Sequence, residues 1–64
     1  METVIQKMQQ FLKDEKELLA DLALDVANAE NDYEYAKSKA LYSVQMARVS
    51  GIKDTLAMLE ESHQ

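Results

Sequence analysis

Residues 28–32 read Asn28-Ala29-Glu30-Asn31-Asp32, and they decide whether the chain folds back on itself. Two asparagines and an aspartate within this segment carry short polar side chains that compete for backbone hydrogen bonds and so interrupt helices. Asn31 is placed to cap a second helix, with Glu34 at the third position to complete a capping box. Asp32 and Glu34 suit the positive end of that helix. The segment predicts a turn over 29–31, between a helix over 3–28 and another over 32–62, in a single helical domain spanning 1–64. The spacing of Val26, Ala29, Tyr33 and Ala36 opposes a turn, because it stays helical straight across. One long helix in an antiparallel coiled-coil assembly is therefore the alternative.

Upstream, the composition is strongly helical. There is no proline and a single glycine, Gly51, and alanine, leucine, glutamate, lysine, glutamine and methionine rank high in helix propensity. Thr3 and Gln6 form a capping box that starts the first helix. Apolar residues then recur at three and four: Ile5, Met8, Leu12, Leu19, Leu22 and Val26, interrupted by polar Glu15. Val4, Phe11 and Leu18 widen this stripe, which suits a helix packed against two neighbours better than a narrow two-stranded seam.

Downstream, two stripes compete. The first continues through Tyr33, Ala36, Ala40, Val44, Ala47 and Gly51, and the second holds Tyr35, Tyr42, Val49, Ile52, Leu56 and Leu59 in heptad phase. Residues 50–53 are a second candidate break, since Gly51 suits a helix end and Asp54 the cap of a short last helix. The alanines between Ala20 and Ala47 make a slim surface for close helix approach. Tyr33, Tyr35 and Tyr42 have the apolar ring and polar tip suited to an interface margin.

Charge is segregated. Residues 14–34 hold eight acids against Lys16 alone, a net of −7, whereas residues 35–53 hold Lys37, Lys39, Arg48 and Lys53 with no acid, a net of +4. Antiparallel neighbours lay base along acid, and parallel in-register copies set acid beside acid.

At 64 residues, with no cysteine and one histidine, the chain is too short for a large private core, and disulfide or metal staples are poorly supported. The expected architecture is all-α: an antiparallel helical hairpin that dimerises into a four-helix bundle. The net charge of −5 argues against nucleic acid or an anionic membrane as partner. The apolar runs, such as Leu22 to Leu24, are far shorter than the roughly 20 residues of a membrane span. No basic-then-apolar leader opens the chain, and a cytoplasmic location is expected.

Catalytic chemistry has little to build on. The serines are scattered, and the single glycine offers no phosphate loop. Glu60-x-x-His63 has the spacing of a dinuclear iron motif, but it lies at a terminus where helices fray, so no metal or other cofactor is expected. The chain reads as a non-enzymatic oligomerisation or protein-interaction module, a homo-oligomer with a dimer favoured, open to a second protein. Its interface or core residues are Ile5, Met8, Leu12, Leu19, Leu22, Val26, Tyr33, Tyr35, Tyr42, Val49, Ile52, Leu56 and Leu59. The alternative is a small acidic inhibitor in which Asp14, Asp21, Asp25 and Asp32 imitate phosphates in the basic site of a nucleic-acid-binding protein or enzyme.

Overall fold

A computed structural model describes residues 3–62, which form two helices, α1 (Val4–Ala27) and α2 (Asp32–Ser62), packed against each other as a hairpin. Local chemistry sets both starts. The Thr3 amide donates to Gln6 Oε1 at 2.8 Å and the Gln6 amide donates to Thr3 Oγ1 at 3.1 Å, so the capping box is formed. At α2 the Glu34 amide donates to Asn31 Oδ1 at 2.8 Å, and the Asn31 carbonyl accepts the first helical bond, from Tyr35, at 3.0 Å. The Glu34 carboxylate reaches one residue further back than the standard box and accepts the Glu30 amide at 3.1 Å. It thereby ties the turn to the helix it opens. Asn28 ends α1, donating its amide to the Leu24 carbonyl at 2.9 Å.

The helices meet along positions spaced alternately three and four apart. On α1 the less exposed residues are Ile5, Met8, Leu12, Glu15, Leu19, Leu22 and Val26, with Ala29 continuing the row into the turn. On α2 they are Ser38, Tyr42, Gln45, Val49, Ile52, Leu56 and Leu59. This heptad pattern keeps one narrow seam of each helix facing the other. Val49, Ile52 and Leu56 are its buried apolar core, toward the open end of the hairpin. Toward the turn the seam residues Leu19, Leu22, Val26, Ser38 and Tyr42 are only half-buried.

Three expectations are corrected. Val26, Ala29, Tyr33 and Ala36 do not form one stripe: the chain turns between the second and third of them, and the spacing across the turn is coincidental. The continued stripe of Tyr33, Ala36, Ala40, Val44, Ala47 and Gly51 is exposed throughout. The heptad stripe has larger side chains, so turning it toward α1 removes more apolar surface from water. Finally, α2 runs unbroken through residues 50–53. Gly51 keeps a negative φ, the Thr55 hydroxyl donates to its carbonyl at 3.0 Å, and buried Val49 and Ile52 anchor the backbone on either side. Asp54 is consequently an exposed mid-helix residue and caps nothing.

The hairpin is long and thin, with Cα extents of 49 × 20 × 11 Å and a radius of gyration of 14.9 Å, against about 11 Å for a compact domain of this length. Among the described residues no helix is long and apolar enough to cross a membrane.

Candidate interaction surface

A polar layer interrupts the seam. Gln45 is 4% exposed, and its side-chain amide donates to the Glu15 backbone carbonyl at 2.9 Å and to the Glu15 carboxylate. The Arg48 guanidinium lies 3.9 Å from the same carboxylate. Among the described residues no buried side-chain polar atom is left without a partner, so this layer avoids the desolvation cost of an unpaired group.

Two lateral faces flank the seam. One is marked by Arg48 beside Glu15 and, nearer the turn, by a crevice shared by Asp25, Glu34, Lys37 and Leu41. Heptad spacing from Asp25 and Leu41 puts Val4, Phe11 and Leu18 of α1 on this face. Arg48 and Thr55 of α2 follow Leu41, and Val44, Gly51 and Met58 lie next to them. The opposite face is marked by Gln9 donating to Glu60 at 3.4 Å and by a crevice lined by Ala23, Val26, Tyr35, Lys39 and Tyr42. It also carries Lys13, Lys16 and Lys53.

The two faces differ in chemistry. Among the described residues ten large hydrophobic ones are exposed, and six of them, Val4, Phe11, Leu18, Leu41, Val44 and Met58, lie on the first face. On the second face only Met46 and Tyr35 are of this kind, and four lysines dominate its charge.

Of the residues expected in a core or interface, Val49, Ile52 and Leu56 are buried, while Ile5, Met8, Leu12, Leu19, Leu22, Val26, Tyr42 and Leu59 are half-buried in the seam. Tyr35 is partly exposed, with Lys39 Nζ 5.5 Å from its ring centroid. Tyr33 is 75% exposed and stands apart from the seam. Asp14, Asp21, Asp25 and Asp32 are all exposed. His63 lies outside the described residues, and among those residues no cluster of three or more acidic or histidine side chains is placed to hold a metal ion.

Sequence reasoning passed over Gln45 and Ser38. The heptad phase of Tyr35, Tyr42 and Val49 was the available signal, because it places Ser38, Gln45, Ile52 and Leu59 at the intervening seam positions. The gathering of Leu41 and Met58 with Phe11 and Leu18 had no signal in either helix alone, since it depends on the register of the hairpin. No protein-family model, curated protein or solved structure matches the chain.

Proposed function

We propose that this protein is a non-enzymatic helical interaction module that associates through faces its own hairpin leaves open, chiefly with further copies of itself. One observation carries this reading. The chain exposes 5045 Å², whereas a folded monomer of 7.3 kDa exposes about 4,200 Å² by the usual scaling with mass. The excess of about 850 Å² is close to the ~800 Å² that each partner buries in a standard protein–protein interface. Absence of cysteine suits a reducing compartment, and we place the protein in the cytoplasm.

Sedimentation equilibrium over a hundredfold concentration range tests the reading. A molar mass that rises from 7.3 kDa toward a multiple of it is the expected result. A monomer throughout removes self-association as the function.

A second reading rests on Asp14, Asp21, Asp25 and Asp32, which are all exposed and free of ion pairs among the described residues. Exposed carboxylates of this kind suit the basic groove of a nucleic-acid-binding protein. Binding to a basic domain that fades steeply with salt, and is lost when these four residues are changed to asparagine, is expected on this reading. Binding that survives the four changes rejects it.

A further inference from the structure

We infer that the hairpin pairs with a second copy of itself through the face bearing Phe11, Leu18, Leu41 and Val44, with both turns at the same end of the resulting four-helix bundle. This inference rests on the self-association proposed above and specifies its face and topology.

The face is chosen by its chemistry. Val4 is 66% exposed, Phe11 41%, Leu18 45%, Leu41 51%, Val44 67% and Met58 70%. At about 200 Å² for a large side chain these fractions amount to roughly 700 Å² of surface, nearly what one partner of a stable interface buries. The opposite face, with Lys13, Lys16, Lys39 and Lys53, would set like charges together in a self-pair.

Topology follows from charge. The contacts of Glu15 with Gln45 and Arg48, and of Gln9 with Glu60, show which positions of α1 and α2 lie at the same height. Two hairpins stacked face to face are related by a two-fold axis either along the helices or across them. With the axis along the helices the turns share one end, and each α1 lies antiparallel to the partner's α2. Asp14 then comes level with Arg48 of the other copy, and Asp25 with its Lys37. With the axis across the helices α1 lies on α1 and α2 on α2, so the two Asp14 carboxylates and the two Arg48 guanidinia each meet near the axis. Complementarity favours the first arrangement.

Shape points the same way. Phe11 comes level with Gly51 of the other copy, and Gly51 has nothing within 4 Å of where a Cβ would stand. An exposed glycine inside a helix is otherwise unfavourable, and here it leaves room for a ring from above.

The test uses the full chain, whose lack of cysteine allows one spin label at Glu30→Cys on the turn. Pulsed dipolar spectroscopy on the dimer is expected to give a turn-to-turn distance below about 30 Å, since neighbouring helix axes lie about 10 Å apart. A distance near the 49 Å hairpin length overturns the topology while leaving self-association intact. Gly51→Glu, whose Cβ would stand in open space on an exposed face of its own hairpin, is expected to keep the far-UV helical signal and weaken dimerisation at least tenfold. An unchanged dimer constant for Gly51→Glu overturns the face. A wild-type chain that stays monomeric overturns the underlying reading itself.

Discussion

The Gln45 side-chain amide bridges the backbone carbonyl and the carboxylate of Glu15 across the hairpin, and it does so from a position only 4% exposed. A polar pair inside a seam this narrow gives up apolar burial, and in exchange it opposes a shift of one helix along the other. Any slip would strand a buried amide opposite leucine. Buried polar residues specify register in this way in coiled coils.

Gln45→Leu alone is expected to lower stability by about 1–2 kcal/mol, because the Glu15 side chain, 14% exposed, loses its main donor and keeps its desolvation cost. Replacing Glu15 and Gln45 together by leucine is expected to restore or exceed the parent stability, since removing both partners of a buried polar pair is commonly neutral or favourable. Urea unfolding followed by circular dichroism at one fixed chain concentration measures both. A double variant weaker than the single one would show that the pair contributes net stability of its own.

Asn31→Ala is expected to cost about 1 kcal/mol, the usual value of an N-cap side chain. It removes the acceptor for the Glu34 amide, which sits 2.8 Å from Asn31 Oδ1. Glu34→Ala is expected to cost less, because the Glu30 amide it accepts at 3.1 Å lies in an exposed turn where water can replace the carboxylate. Equal losses for the two variants in thermal unfolding would contradict this order.

The Thr3–Gln6 capping box, the Asn31 cap of α2, the position of the turn and the heptad phase of Tyr35, Tyr42, Val49, Ile52, Leu56 and Leu59 were legible along the chain, because each depends on residues within a turn or two of one another; the reciprocal half of the second box was not, since Glu34 accepts the Glu30 amide instead. Choosing which stripe of α2 meets α1 was harder. Ala36, Ala40, Val44 and Ala47 keep helical spacing as faithfully as the stripe that is buried, and only side-chain size separates the two. Gly51 misled for a related reason: glycine permits a helix end but does not impose one, and buried neighbours on both sides hold the helix through it. The apolar lateral face was illegible until register was known, since Phe11 and Leu41 are brought to one side by the fold-back alone.

Ile52→Ala is expected to cost about 2–4 kcal/mol, the range for truncating a large aliphatic core residue. Among the described residues Ile52 is one of three buried apolar side chains, with Val49 and Leu56. For so small a core the loss is a large share of the total stability. Reduced helical ellipticity at 25 °C and low concentration is the expected signature, partly reversed as concentration rises because association stabilises the folded chain. Full helicity at all concentrations would show that the seam contributes less than its burial implies.

Leu18 and Leu19 are adjacent in sequence but do different things in the hairpin. Leu19 is half-buried in the seam, whereas Leu18 is 45% exposed on the lateral apolar face. Leu19→Asp puts a carboxylate between α1 and α2, so helicity is expected to fall at every concentration, with loss of assembly following from loss of the hairpin. Leu18→Asp leaves the seam untouched. Helicity at high concentration should therefore be kept while the molar mass falls toward that of the monomer, because the new charge is buried only on association. Circular dichroism and light scattering on the same samples separate the two effects. If Leu18→Asp lost helicity as completely as Leu19→Asp, the hairpin would have no stability apart from its partner, and folding and assembly would be one step.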